Sequence, residues 1–256
     1  KSSAASDVYK RQQTLGEHCF KLDDVPPGMH WCLAPGAVGP DALGPDGHPK
    51  LGSFLPEIPY ARRMWAGGWL EFHDDFKIGD HVKRHSQIDD ITFKSGKSGN
   101  LCFVAITHEF SVDGGLKLRE RHDVVYREEV TPAPVLAPIA DSHAAHRWHV
   151  DTNTIMLFRY SALTFNGHRI HYDLPYSTDI EGHGGLLVHG PLQATLMLNL
   201  ACSVAGKLPE KMTYRGVRPL VCGDPIMIDA DSEDGNLVAC VRSADGNVTM
   251  KATVTL

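Results

Sequence analysis

The fold is decided by residues 190–205, which read Gly-Pro-Leu-Gln-Ala-Thr-Leu-Met-Leu-Asn-Leu-Ala-Cys-Ser-Val-Ala. Pro191 suits the first turn of a helix, because the N–H that proline lacks would be unpaired there in any residue. Gly206 and Pro209 follow the run and predict the end of the helix. About 16 residues at 1.5 Å each make a helix about 24 Å long. The run is apolar on nearly every side, which predicts a buried helix wrapped by sheet.

Predicted β-strands lie on both sides of this helix along the chain. Each is rich in β-branched or aromatic residues and is bounded by Gly or Asp turns. The predicted strands are residues 100–112, 117–127, 155–164, 225–230, 237–242 and 248–256. One long buried helix among many strands indicates an α+β fold.

The order of short motifs indicates that the chain contains two copies of one module. Residues 72–80 resemble residues 216–224, because each is a short β run that ends in Gly-Asp. Residues 99–106 and 235–241 resemble each other in the same way, as a turn followed by a strand. The shared order predicts two modules of roughly 120 residues each.

We predict module boundaries at residues 13–130 and 141–256, joined by a Pro-rich connector at residues 131–140. The first module contains no run like the apolar helix of the second. Its corresponding region, residues 26–59, is rich in Gly and Pro. The first module is therefore predicted to be degenerate, and the second to hold the active site.

Composition limits the class of protein. The chain of 256 residues is 42% hydrophobic and 22% charged, which is typical of soluble globular proteins. Its net charge of -6 argues against nucleic acid or a membrane surface as partner. The six cysteines form no C-x-x-C pair, which predicts reduced thiols in a cytoplasmic protein. Residues 1–12 lack apolar periodicity, and we expect them to be a flank outside the fold.

Candidate functional groups crowd into residues 158–173, Phe-Arg-Tyr-Ser-Ala-Leu-Thr-Phe-Asn-Gly-His-Arg-Ile-His-Tyr-Asp, where a predicted strand ends. An amide, two imidazoles, a guanidinium and a carboxylate occur there: Asn166, His168, His171, Arg169 and Asp173. His189-Gly190 then opens the long helix, whose free backbone N–H groups suit a developing oxyanion. Together these groups predict proton transfer beside a carbonyl.

The same residues resemble the MaoC-like branch of the hot-dog hydratases and dehydratases. The signature of that branch is Asp-x-Asn-Pro-x-His, followed further on by His-Gly. Residues 166–171 and 189–190 occupy these two windows. The sequence departs from the wider pattern at Asn166, where the pattern has Asp, and at His168, where it has Asn.

The match is closer to a two-module subgroup that acts on 3-hydroxyacyl thioesters or hydrates mesaconyl-CoA. It extends over about residues 15–256 and includes 43–48, 62–68 and 215–220. The resemblance implies a double hot-dog fold, in which a curved antiparallel sheet wraps a central helix. It also implies an enoyl-CoA hydratase or 3-hydroxyacyl-CoA dehydratase that uses no cofactor and no metal.

The resemblance implies a role for each candidate residue. N–H groups at Gly190 would stabilise the thioester oxygen, and His171 would accept and return the proton. Asn166 would orient the water, because an amide cannot act as a base. Supporting roles fall to His168, Asp173 and His189, and substrate binding to Arg169, Arg62 and Arg63. Asp173 could fix the imidazole tautomer or supply the missing carboxylate.

Other interpretations of these residues and of the function stay open. His171 and His168 can be structural histidines, Arg169 an exposed side chain and Asp173 a turn cap. His143, His146 and His149 recur every third residue, yet no nearby Cys or paired carboxylate completes a metal site. The alternative functions are an acyl-CoA thioesterase, since one fold hosts several chemistries, and a non-catalytic acyl-CoA-binding module. The expected partners are acyl-CoA and a second copy in a homodimer.

Overall fold

The fold was analysed in a computed structural model, which describes residues 4–20, 25–60, 62–96, 99–128, 137–139 and 143–256. The described residues form three α-helices, with bounds α1 Ala4–Leu15, α2 Thr154–Thr164 and α3 Gly190–Ala205. They also form nine β-strands. The strands are β1 Arg62–Phe72, β2 Val82–Gly96, β3 Gly99–Val112, β4 Gly115–Arg127, β5 His146–Asp151, β6 Lys211–Gly216, β7 Pro225–Glu233, β8 Asn236–Arg242 and β9 Val248–Thr255.

All nine described strands belong to one antiparallel sheet, in the order β2-β3-β4-β1-β6-β9-β8-β7-β5. The first four strands form one half and the last five the other, joined where β1 pairs with β6 from Gly67↔Arg215 to Glu71↔Lys211. Strands β1 to β4 are ordered as β6 to β9 are, mirrored across this junction. Each repeated motif of the sequence therefore occupies the same place in its own half.

This shared order agrees with duplicated modules. The boundaries at residues 13–130 and 141–256 stay a prediction. The structure describes only residues 137–139 of the predicted connector.

Helix α3 confirms the prediction of a long buried helix. It packs against β6, β7, β8 and β9, and its side chains are buried on every side from Leu192 to Cys202. Gly206 ends it with a positive φ of 72°, a conformation that glycine adopts without steric cost. Leu192, Leu196 and Leu198 have no exposed surface. Burial of each such side chain contributes about 1.5–3 kcal/mol.

The strand predicted at residues 155–164 is wrong, because this segment forms helix α2. The side chain of Asn153 caps the helix by accepting a 2.9 Å hydrogen bond from the Met156 N–H. The buried residues Leu157, Tyr160 and Ser161 lie three and four positions apart, which is the spacing of one helical face. The aromatic and β-branched composition of the segment was misleading, since the cap and the tertiary contacts decide its structure.

The prediction that residues 1–12 lie outside the fold is also wrong for the residues that are described. Helix α1 packs against α2 and buries Val8, Arg11 and Leu15. The Arg11 guanidinium donates a 2.5 Å hydrogen bond to the Pro27 carbonyl. Two buried apolar side chains and a buried guanidinium make α1 part of the core.

The face of strands β1 to β4 packs against other residues than those of α3. Among the described residues, no helix lies along β1 to β4 as α3 lies along β6 to β9. Leu55 and Ile58 pack instead on a cluster that includes Val104, Ile106 and Val124. Segment 25–60 thus crosses this face and brings its polar residues towards the second half.

Two further predictions concern the chain as a whole. Four of the six cysteines are buried, and these are Cys19, Cys32, Cys102 and Cys202. Among the residues that the structure describes, no helix is long and apolar enough to cross a membrane.

Candidate active site

The start of α3 supplies unpaired backbone donors. His189 caps the helix without a side-chain hydrogen bond to the first turn, so the first N–H groups are available to a ligand. Gly190 packs against the indole of Trp65, and a Cβ at this position would lie 2.6 Å from the Trp65 Cε3. The absence of a side chain therefore lets the helix start approach β1 closely.

His189 is sealed in the core beneath this helix start. Its Nε2 lies 2.8 Å from the Ser161 hydroxyl of α2, and its ring has no exposed surface. Burial lowers the pKa of His189 well below its usual value, and the nearby His171 lowers it further. The imidazole is neutral and fixed in position, which suits a residue that supports its neighbours.

His171 lies on a short 3₁₀ turn, residues 169–171, and stacks on His189 with ring centroids 3.6 Å apart. Its Nδ1 lies 2.8 Å from the Leu187 carbonyl oxygen. A carbonyl can only accept, so Nδ1 carries the proton and Nε2 carries the lone pair. Burial lowers the pKa of His171 to about 3. At neutral pH the side chain thus presents an unprotonated Nε2.

Asn166 and His168 precede this turn. The side-chain oxygen of Asn166 accepts a 3.0 Å hydrogen bond from the His168 N–H, which leaves the Asn166 amide nitrogen as a donor. His168 is buried, and its ring centroid lies 5.5 Å from that of His171. Burial, together with the neighbouring His48, lowers the pKa of His168 to about 3.

Asp46 and His48 also lie at the candidate site, although the sequence did not mark them as candidate residues. The His48 ring lies 4.2 Å from the His168 ring, centroid to centroid, and its Nδ1 lies 2.8 Å from the Asp46 Oδ2. Burial raises the pKa of the Asp46 carboxyl, but its hydrogen bonds with His48 outweigh this and lower the pKa overall. The only indication in the sequence was the motif Asp-Gly-His at 46–48, which was part of the family resemblance.

The turn that carries Asp46 lies directly on the segment that carries His168. The Asp46 carbonyl accepts a 2.9 Å hydrogen bond from the Arg169 N–H, and the Pro45 carbonyl a 3.0 Å bond from the Arg169 guanidinium. A Cβ on Gly47 would lie 1.9 Å from the Gly167 carbonyl oxygen. Two glycines thus let the backbones meet, which fixes residues 44–48 against residues 166–169.

Asp173 does not fix the imidazole tautomer, so that part of the prediction is wrong. The partner of the His171 Nδ1 is the Leu187 carbonyl. Asp173 instead accepts hydrogen bonds from the Arg169 guanidinium at 2.8 and 3.0 Å, and it caps the Tyr176 N–H at 3.1 Å. Its role in this geometry is to hold the loop after the 3₁₀ turn.

The predicted substrate-binding arginines differ in their surroundings. Arg169 pairs with Asp173 and lies over the Tyr176 ring. Arg62 donates to the carbonyls of Ile180 and Glu181 and to the Glu181 carboxylate. Among the described residues, none accepts a hydrogen bond from the half-buried Arg63. Burial is the main cause of the lowered pKa of His48 and of His168, and the charge of the nearby Arg63 lowers both further.

Three side chains of this cluster are of the types that bind metal ions. The donor atoms of Asp46, His48 and His168 lie within 4.8 Å of one another. Two of them are already joined by a hydrogen bond, and the positive charge of Arg63 is close by, so the donors fit a hydrogen-bonded cluster better than a cation. His143, His146 and His149 are exposed, and none belongs to such a group of donors in the described parts of the chain.

A cavity of about 330 Å³ lies elsewhere in the molecule. It is lined by residues 25–30 and by residues around the β1–β2 turn, such as Asp74 and Lys77. None of the histidines at the start of α3 lines it. We place the candidate active site at the histidines, because several buried titratable groups converge there beside free backbone donors.

The fold and the site together define a class. A central helix wrapped by antiparallel sheet, in two similarly ordered halves, with histidines at the helix start, is the arrangement of the double hot-dog hydratases. Two solved structures support the fold. A MaoC-like dehydratase from Phytophthora capsici superposes with a TM-score of 0.71 at 14% identity, covering 98% of this chain and 92% of its own. A Mycobacterium tuberculosis protein with a double hotdog fold gives 0.56 at 13% identity, with 97% and 90% covered.

The sequence comparisons identify the family. The profile of the hydroxyacyl-thioester dehydratase type 2 family matches residues 28–222. A mesaconyl-C(4)-CoA hydratase from Chloroflexus aurantiacus is 38% identical over 234 residues, which cover 91% of this chain and 84% of the relative. The chain therefore belongs to the hydroxyacyl-thioester dehydratase type 2 family, and it is a hydratase or dehydratase with an α+β double hot-dog fold. The predicted MaoC-like resemblance is confirmed.

Proposed function

We propose that the protein adds water to a 2-enoyl-CoA thioester, or removes it from the 3-hydroxyacyl-CoA, at the start of α3. The observation that carries the proposal is the unprotonated Nε2 of His171, fixed by the Leu187 carbonyl beside the free N–H groups of the helix. An imidazole held neutral is a suitable acceptor and donor of one proton.

The geometry supports the following order of events. The thioester oxygen accepts hydrogen bonds from the first N–H groups of α3, which stabilise the charge that develops there. The Asn166 amide donates to the attacking water and orients it. Water adds at the β-carbon, its proton is taken up by the imidazoles, and the α-carbon then receives a proton. The positive end of the α3 dipole favours the same enolate-like charge.

We further propose a dicarboxylic or branched acyl group, as in mesaconyl-CoA. The support is the 38% identity to a hydratase of that name, together with Arg63. Since Arg62 and Arg169 are engaged by neighbouring groups, Arg63 is the arginine among the predicted three that can meet a substrate carboxylate. Guanidinium and carboxylate match each other in a bidentate pair.

The carboxylate preference predicts a measurable loss in one variant. Arg63→Gln should reduce kcat/KM for mesaconyl-CoA by about 10–100-fold, as expected when a charged hydrogen bond of about 1.5–3 kcal/mol is removed, and should affect crotonyl-CoA much less. The assay follows loss of the enoyl absorbance together with free thiol. Thiol release without hydration would instead support a thioesterase. Equal rates on both substrates in the wild type and the variant would contradict the carboxylate contact.

The remaining parts of the proposal concern organisation. We propose that the duplicated modules at residues 13–130 and 141–256 form one active site per chain. The support is that no helix in the described part of the first half lies along its strands as α3 does in the second. A homodimer and a cytoplasmic location stay predictions.

A further inference from the structure

We propose that His48, held by Asp46, is a second proton-transfer residue of the active site, so that a pair of imidazoles takes the place of the carboxylate and imidazole of the wider family pattern. This inference rests on the proposed hydration reaction. It gives a proton-transfer role to residues 44–48, in the first half of the chain. These residues belong neither to α3 nor to the signature motif.

The His48 ring is held in one protonation state by Asp46. Asp46 Oδ2 lies 2.8 Å from the His48 Nδ1, while Asp46 Oδ1 accepts a 3.0 Å hydrogen bond from the His48 N–H. An ionised carboxylate can only accept, so Nδ1 carries the proton and Nε2 carries the lone pair. Because both carboxylate oxygens bind the same residue, the carboxylate cannot rotate away from the ring.

His48 also lies close to the other histidines of the site. The His48 ring lies 4.2 Å from His168 by centroid, and His168 lies 5.5 Å from His171. Three imidazoles thus follow one another from the Asp46 carboxylate to the proposed reaction centre. The hydrogen bonds from Arg169 to Asp46 and Pro45 hold the turn in this place.

The Asp46 carboxylate also supplies a negative charge beside the His48 ring. An imidazolium forms when an imidazole accepts the proton of water, and a buried charge is costly without a partner. The His171 Nδ1 is backed by a neutral carbonyl, whereas His48 is backed by a carboxylate. The charged and titratable groups around His48 are Asp46, Arg63 and His168. Asp46 favours the imidazolium, and Arg63 opposes it unless a substrate carboxylate neutralises its charge.

The proposed hydration transfers one proton from water to the α-carbon. As the oxygen of water bonds to the β-carbon, its O–H bond breaks and the proton goes to the His48 Nε2. The π electrons move to the thioester oxygen. Water between the rings carries the proton from His48 past His168 to the His171 Nε2, since the described ring contacts are not hydrogen bonds. His171 then delivers it to the α-carbon as the enolate collapses. Both outer imidazoles end neutral, and no other reactant is needed.

The test compares kcat, KM and the pH–rate profile of wild type, His48→Gln, Asp46→Asn and the control His81→Gln, an exposed histidine distant in sequence from the site. His48→Gln should lose about 10²–10⁴ in kcat with little change in KM. Asp46→Asn should lose less and shift the acidic limb of the profile to lower pH, because removal of the carboxylate lowers the pKa of His48. His81→Gln should match the wild type.

The outcomes separate this inference from the proposed function. A wild type that hydrates no enoyl-CoA contradicts the proposed function itself. The role of His48 is overturned if the wild type is active and the kcat of His48→Gln is within about threefold of the wild-type value. A threefold change lies far below the usual contribution of about 10²–10⁴. Circular dichroism checks that His48→Gln and Asp46→Asn are folded. An unshifted pH profile in Asp46→Asn overturns the role of Asp46. Loss of activity on dialysis against EDTA, restored by Zn²⁺, would show that the three residues bind a metal instead.

Discussion

At the scale of single residues, the site depends on which nitrogen of each imidazole is free. The Leu187 carbonyl fixes the His171 tautomer, and the stacked His189 ring fixes its plane. Asn166 contributes only dipoles, since an amide neither gains nor loses a proton near neutral pH. In the proposed mechanism, the chemistry at this scale is carried by imidazoles whose positions are set by the backbone and by neighbouring rings.

Two substitutions test this arrangement. His171→Ala should lose about 10²–10⁴ in kcat, which is the usual contribution of a general acid–base group. Asn166→Asp should stay active, because a carboxylate at this position restores the wider family pattern, and it should add an acidic limb to the pH–rate profile. Hydration rates against pH, measured on folded variants, check both. A fully active His171→Ala would show that the proton group is assigned to the wrong residue.

The sequence could indicate this part of the candidate site because the residues are close together along the chain. Asn166, His168 and His171 lie within six positions, and the long helix that begins at Gly190 was recognisable from its composition. Asp46 and His48 were missed as functional residues because their contact with His168 is made across about 120 residues of chain, a distance at which a pattern in one sequence carries no information.

At the scale of elements, the same contrast between local and tertiary information applies. Helix α3 could be predicted because its proline start, its glycine end and its apolar surface are all local signals. Helix α2 could not be predicted in this way. Its Asn153 cap was not recognised, and its aromatic residues favoured a strand by composition. Arg62 and Arg169 were expected at the substrate, but partners from residues 173–181 engage them.

The docking of the 44–48 turn onto residues 166–169 yields a prediction of its own. Gly47→Ala should lower kcat strongly, because its Cβ would lie 1.9 Å from the Gly167 oxygen and would displace Asp46 and His48. The matched control is Gly79→Ala. Gly79 has a positive φ of 102°, similar to 90° at Gly47, but nothing within 4 Å of the added Cβ.

The control carries only the cost of a left-handed backbone at a residue with a side chain, which is about 1–3 kcal/mol. We therefore expect Gly79→Ala to lose less thermal stability than Gly47→Ala, which also carries the backbone clash, and to keep the wild-type kcat. Turnover rates and melting temperatures of the two variants give the comparison. Equal kcat in both would mean that the contact between the two turns does not position the active site.

At the scale of the whole molecule, the two halves are joined by more than strand pairing. The Trp65 ring of β1 stacks on Tyr214 of β6, with centroids 4.7 Å apart, and the same indole contacts the start of α3 at Gly190. The first half thus contributes Trp65, Asp46, His48 and Arg63 to the surroundings of a site whose helix belongs to the second half. Under the proposed function, the predicted degenerate module would therefore still supply groups that the active site needs.

Burial of several neutral imidazoles also makes the stability of the whole molecule depend on pH. Burial lowers the pKa of His108, His168 and His171 to about 3 each, from an ordinary value of 6.5. Between these values the unfolded chain binds protons that the folded protein does not. Unfolding therefore takes up protons, and the free energy of unfolding falls as the pH decreases below 6.5.

This dependence predicts a loss of stability in mild acid, checked by urea unfolding at several pH values between 7.5 and 4.5. Each buried imidazole contributes up to about 1.4 kcal/mol per pH unit in this window. Carboxylates with lowered pKa, such as Glu120 and Asp46, add to the loss only below about 4.5, the ordinary glutamate pKa. His108→Gln, away from the active site on β3, should reduce the slope by one such contribution. A free energy of unfolding that stays constant from pH 7.5 to 4.5 would contradict the neutral, buried state of these histidines, on which the proposed proton transfer also depends.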